Sequence, residues 1–200
     1  IVLTSRSGPA ATNVPTLAAE LAENGATTHV LCSDLAVRDD VVALLNHIGP
    51  VDSVFHAAGV GQVIPLEESS AQTLAEVSAV KALGAKHLDE LTTDLSAFVL
   101  FSSGAGVWGS GHQGGYAAAN AYLDALAENR RSRGLNATSV AWGCGRRGHG
   151  LRQRRPPGAD GPAGTEPGPG IEVLGSVLDS GEATLTVADV DWPTFHPVFT

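Results

Sequence analysis

Short runs of Val, Leu and Phe alternate along this chain with longer stretches in which apolar residues return every three or four positions. The runs are IVLT at 1–4, THVLC at 28–32, SVFH at 53–56, AFVLF at 97–101 and ATSVAW at 137–142. They are too short for helices and show little polar alternation, which predicts strands buried on both faces of a parallel sheet. Helical periodicity fills 13–24, 38–48, 70–92 and 114–133 between them. Gly25 and Gly134 follow the first and last of these helices as C-terminal caps, and Arg130, Arg131 and Arg133 suit the negative end of the last helix dipole as a solvated helix end. Regular strand and helix alternation predicts an α/β fold, a doubly wound parallel sheet with helices on both faces.

The pattern breaks once. Residues 144–170 (CGRRGHGLRQRRPPGADGPAGTEPGPG) hold eight Gly, five Pro and five Arg, with Leu151 the single large aliphatic side chain, so no core-facing stripe can form. Order is expected to resume as a helix at 171–181 and a strand at 183–192. The chain reads as one domain over 1–200, with 144–170 an atypical Gly/Pro/Arg-rich segment; translation out of frame, with the frame restored near Ile171, is the expectation for it. Residue 1 already lies inside a strand and no glycine-rich strand-to-helix turn comes before it, so the sheet is expected to be partial at its N-terminal side.

Composition narrows the function. A hydrophobic fraction of 43% with 16% charged residues describes a packed globular chain, and a formal charge of −9 argues against nucleic acid or an anionic membrane as partner. The basic stretch at 146–155 lacks the interleaved aromatics of a single-strand binder. No apolar run is long enough to span a bilayer and the first residues do not form a signal peptide, so a cytoplasmic location is expected. Cys32 and Cys144 are too few for a disulfide framework or a metal cluster; no metal site is expected, and Cys32 reads as a buried strand residue.

Ligands of such sheets bind beyond the carboxyl ends of the strands. The segments there are SRSG at 5–8, SDLA at 33–36, AAGV at 57–60 and SSGAG at 102–106. Ser103 closes one strand, and Tyr116 and Asn120 lie one turn apart on the helix that follows. A tyrosine with a reference pKa of about 10 is a weak acid towards a carbonyl oxygen unless a cation makes its ionised form accessible. Lys81, on the preceding long helix, can supply that charge, Ser103 can share the developing oxyanion, and Asn120 can fix the lysine or a water. The four residues together suit carbonyl reduction.

The segments HAAGVGQVIPL (56–66), KALGAKHLDELT (81–92), FVLFSSGAGVWGSGHQGGYAAANAYLDALAENRRSRGL (98–135) and VADVDW (187–192) resemble the ketoreductase domain of modular polyketide synthases, in the short-chain dehydrogenase/reductase superfamily. The resemblance implies a Rossmann-like sheet. It makes Tyr116 the proton donor, Ser103 the carbonyl-orienting hydroxyl, Lys81 the tuning charge and Asn120 the fourth member. In most of the superfamily the lysine stands four residues after the tyrosine, where this chain has Asn120. By the same resemblance Arg6 would meet the 2′-phosphate of NADPH, Asp34 and Leu35 would flank the adenine, and Ala57, Ala58 and Gly59 would let backbone approach the cofactor. Trp108, eight residues before the tyrosine, together with GQV at 61–63, implies the A-type, L-hydroxy product, and Gln113 implies no epimerisation. The substrate implied is a β-ketoacyl thioester on the phosphopantetheine arm of an acyl carrier protein, with other synthase domains in the same polypeptide.

Other residues read as structural: Tyr122 facing the core, Ser102 capping a strand end, His56 in a turn or core, His112 and His149 in loops, and Trp142 and Trp192 in the core. Two other functions stay open on the sequence: a catalytically silent fragment of such a domain, and a free-standing reductase of small ketones.

Overall fold

A computed structural model describes residues 1–61, 63–143 and 167–188. The Val/Leu/Phe runs form parallel strands: β1 (Val2–Ser5), β2 (His29–Cys32), β3 (Ser53–His56), β4 (Ala97–Ser103) and β5 (Thr138–Trp142), with a later β6 (Thr184–Val187). Strands β3, β4, β5 and β6 make one parallel sheet in that order, and β1 pairs with β2 in parallel, Val2 opposite His29 and Ser5 opposite Cys32. In the larger sheet Ser53 faces Ala97 and Ser103 faces Trp142.

The helices are α1 (Val14–Glu23), α2 (Arg38–Ile48), α3 (Ala71–Ser78), α4 (Gly84–Leu91), α5 (Gly104–Trp108), α6 (Gly114–Ser132) and α7 (Pro167–Ser180). β4 shows why its sequence lacks alternation. Phe98 and Leu100 point into a core built with Val41 of α2, Leu88 of α4 and Leu123 and Leu126 of α6. Val99, between them, points to the opposite face and packs with Val140 and with Val177 of α7. Both faces of the strand are therefore covered, the condition that favours continuous apolar runs in parallel sheets.

The stretch 70–92 is helical without a break from Ala71 to Leu91, but it is not a regular α-helix throughout. Ser70 caps α3 by a reciprocal pair of bonds with Thr73, and between α3 and α4 the residues Ala79–Leu83 form a π turn. The last helix begins at Pro167, four residues before the expected 171, and β6 occupies 184–187 of the strand expected at 183–192; residues 189–192, Trp192 among them, and residues 144–166 lie outside the described residues.

Three expectations change. Arg130 is fully buried instead of solvated. Its guanidinium pairs with Asp89 at 2.7 Å, donates to the carbonyls of Asp89, Thr92, Thr93 and Asn136, and lies 4.5 Å from the centre of the Phe98 ring. The planar five-donor group thus satisfies the open carbonyls after α4, an end that no glycine caps. Cys32 is exposed because β2 has a ladder partner on one side only among the described residues; its thiol donates to the Arg6 carbonyl. Tyr122 is 38% exposed, and partial burial with the nearby carboxylates of Asp89 and Glu90 raises its phenol pKa against the lowering effect of Lys86.

No ladder bonds join β1 to β3 among the described residues. A cavity of about 920 Å³ follows this junction, with Val2 and Ser5 on one wall and Val54 and Phe55 on the other.

Candidate active site

Three elements bring the predicted catalytic residues together. β4 ends at Ser103, whose side-chain oxygen accepts a bond from the Ala105 amide at 3.2 Å and so caps the short helix α5. The adjacent Ser102 is buried and donates to the Asn120 carbonyl at 3.2 Å, tying the strand end to α6. α6 then carries Tyr116 and Asn120. A Cβ built on Gly106 would meet the Ala121 backbone nitrogen at 2.9 Å, so this glycine permits the close approach of α5 to α6.

Lys81 arrives from the π turn. Its ammonium donates to the Phe101 carbonyl at 2.7 Å and stands 5.6 Å from the centre of the Tyr116 ring. A lysine on a separate helix thereby faces the tyrosine across the strand end. Burial lowers its pKa from 10.5 to about 8, and the carboxylate of Asp124 acts in the opposite sense. The amine is thus charged at neutral pH and close to its titration range.

Asn120 does not hold the lysine. Its amide nitrogen donates to the Tyr116 carbonyl at 2.7 Å, and its buried side-chain oxygen has no partner among the described residues. The lysine is fixed by a backbone carbonyl of β4, which no side-chain motif reveals.

All six residues predicted to meet the cofactor, Arg6, Asp34, Leu35, Ala57, Ala58 and Gly59, line the cavity between β1 and β3. Asp34 shapes its own loop: its carboxylate accepts from the Ala36 amide, and its amide donates to Asp40. Two residues that sequence reasoning missed stand beside them. The buried hydroxyls of Ser5 and Ser33, at the carboxyl ends of β1 and β2, have no partner among the described residues and line the same cavity. An exposed guanidinium with orphaned hydroxyls at strand ends fits a phosphorylated nucleotide. Gly59 joins the two halves of the site, since a Cβ there would meet Lys81 Cε at 2.9 Å.

On the other side, Trp108 is half-buried and its ring lies so close to Gly104 that any side chain there would overlap it. Gln113 is buried at the start of α6, its carbonyl accepting from Ala117 at 2.8 Å. Between them His112 adopts φ of 59°, and its carbonyl accepts from Ile64, joining this loop to the segment after β3. No group of His, Cys, Asp and Glu able to hold a metal occurs among the described residues, and no described helix is long and apolar enough to cross a membrane.

A parallel sheet with serine, tyrosine and lysine gathered at the carboxyl end of a central strand defines the short-chain reductase class of Rossmann-like folds. The KR domain family matches residues 1–147, and the chain belongs to that family. Erythronolide synthase EryA3 of Saccharopolyspora erythraea is 44% identical over 216 residues, a match covering all of this chain and 6% of that protein. Among solved structures, an A-type ketoreductase from a modular polyketide synthase aligns with a TM-score of 0.87 at 41% identity, and an A1-type ketoreductase at 0.86 and 42%. Each alignment covers the whole chain, and the chain spans 43% and 44% of those two structures.

Proposed function

We propose that this chain acts in NADPH-dependent reduction of the β-carbonyl of an acyl thioester, leaving a β-hydroxyacyl thioester. The observation that carries the reading is Lys81 reaching across to the Phe101 carbonyl with its charge facing Tyr116. Held beyond the carboxyl ends of the strands, where Arg6, Asp34, Leu35, Ala57, Ala58 and Gly59 stand, the reduced nicotinamide would supply hydride to the carbonyl carbon. Tyr116 gives its phenolic proton to the carbonyl oxygen, and the hydroxyl of Ser103 shares the charge that develops there. Lys81 supports the tyrosine electrostatically, while Phe101 keeps the ammonium from swinging away. Arg6 would meet the 2′-phosphate, which favours NADPH over NADH.

The acyl group would arrive on the phosphopantetheine arm of an acyl carrier protein, within a polypeptide carrying further synthase domains. Likeness to modular synthases supports this. Likeness to A-type ketoreductases, with Trp108 seated on Gly104, supports an L-hydroxy product, and Gln113 supports retention at the α-carbon. The test is a titration of the chain with NADPH followed by turnover of a β-ketoacyl N-acetylcysteamine thioester, with chiral analysis of the product. NADPH-dependent formation of the L-alcohol is expected. Cofactor binding without reduction would refute the catalytic reading, and the D-alcohol would refute the stereochemical one.

A further inference from the structure

His56, the last residue of β3, is 2% exposed, and its Nε2 lies 2.9 Å from the backbone carbonyl of Lys81. A carbonyl can only accept, so the ring is the Nε2–H tautomer and donates. The unprotonated Nδ1 has no partner among the described residues. The imidazole therefore makes one directed bond, and that bond falls on the backbone of the residue whose side chain faces Tyr116.

The backbone it meets is unusual. In the π turn Ala79–Leu83 the amide of Gly84 reaches back to the carbonyls of both Ala79 and Lys81. A π turn places one more residue in the ring than an α turn and shifts the phase of everything before it by about 100°. Relaxation to a regular helix would carry Lys81 away from the Phe101 carbonyl. The contact is also shaped for the ring: a Cβ on Gly84 would meet His56 Cε1 at 3.2 Å and Leu35 Cβ at 3.0 Å. A glycine at the exit of the turn thus leaves room for the imidazole beneath it.

We propose that His56 is a positioning residue for Lys81, its Nε2–H bond holding the π turn in the phase that delivers the ammonium to Phe101 and Tyr116. In this role it acts through the lysine and not on the reacting atoms. The catalytic meaning rests on the reading of Lys81 given above, but the positioning itself can be measured with neither cofactor nor thioester. The charged and titratable groups around the ammonium are His56 from β3 and Tyr116 and Asp124 from α6, while β4 offers the Phe101 carbonyl.

Lys81 and Lys86 are the only lysines in the chain. Pulse acylation of the intact chain across pH, read by peptide mass spectrometry, gives a titration midpoint for Lys81 with exposed Lys86 as the reference. The wild-type midpoint is expected near 8, since burial holds the amine there. His56→Leu should raise it by at least about one pH unit, a fall of about fivefold or more in free amine at pH 8. His56→Gln, which keeps a donor at similar reach, should restore the wild-type midpoint. If His56→Leu fails to fold by circular dichroism, His56→Asn, polar but too short to reach the carbonyl, takes its place in the comparison with His56→Gln. A folded Leu or Asn variant with an unchanged midpoint, or a Gln variant as displaced as the donor-less one, would overturn the proposal. Failure of thioester turnover alongside a His56-dependent Lys81 midpoint would instead count against the proposed reaction and leave the positioning role intact.

Discussion

The two sides of the junction between β1 and β3 are packed to different degrees in this chain, which spans 43% of a solved ketoreductase that it matches. On one side β4 buries Phe98, Val99, Leu100 and Ser102, and α6 buries seven residues, Asn120 and Arg130 among them. On the other, β1 and β2 contain no fully buried residue, and neither does α1. Tyr116, Ser103 and Lys81 belong to the packed side, and Arg6 and Asp34 to the thin one. Proton transfer depends on groups held within fractions of an ångström, which close packing provides before any ligand arrives.

The largest effect that would break this contrast lies on the packed side. Tyr116→Phe should lower turnover by about 10² to 10⁴, the usual worth of a positioned acid, with NADPH affinity and melting temperature unchanged. A parallel loss of cofactor binding would mean that the two sides are not separable. Next, Arg130→Ala should destabilise the chain by about 3 to 5 kcal/mol in urea titration, since buried Asp89 would lose one of its two guanidinium partners. Arg133 also reaches Asp89, so a loss near the lower end of that range is expected.

A pH titration sharpens the comparison further. Burial lowers the His56 pKa from 6.5 to about 4, helped by the Lys81 charge and opposed by the bond to the Lys81 carbonyl. The unfolded chain takes up this proton near pH 6.5 and the folded chain only near 4. Stability is therefore lost as pH falls through that window, on the order of 3 kcal/mol from this group. His56→Gln should remove that component, which urea midpoints at pH 7 and pH 4.5 would show. The smallest effect belongs to the thin side: Arg6→Ala should weaken NADPH binding about tenfold with little change for NADH, measured by nicotinamide fluorescence. Equal losses for both cofactors would assign Arg6 to the shared part of the nucleotide.

Much of this architecture was legible because parallel strands covered on both faces leave uninterrupted apolar runs; β3 and α2 match the residues expected from those runs and periods. The π turn was not legible. One extra residue leaves an apolar pattern such as that of 70–92 readable as a single helix, and only the hydrogen bonds reveal the slip. Arg130 was misread because three arginines within four positions at a helix end look solvated, and nothing local announces that Asp89, 41 residues away, folds over one of them. His56 carried no signal because its partner is a backbone carbonyl, which has no letter in a sequence. The proposed catalytic residues were visible for the opposite reason, being side chains at characteristic separations.

The π turn also sets how this gene can vary in length. α3 ends in the buried Val77, while α4 is anchored through His87 to the Leu35 carbonyl and through Asp89 to Arg130. Removing one codon from 79–83 would let a regular helix form, but the two ends could then no longer both keep their present contacts. Substitutions in this segment can be absorbed by neighbouring side chains, whereas a single-codon deletion must rotate one anchored helix against the other. Surviving variants of this region should therefore differ in residue identity far more readily than in residue number.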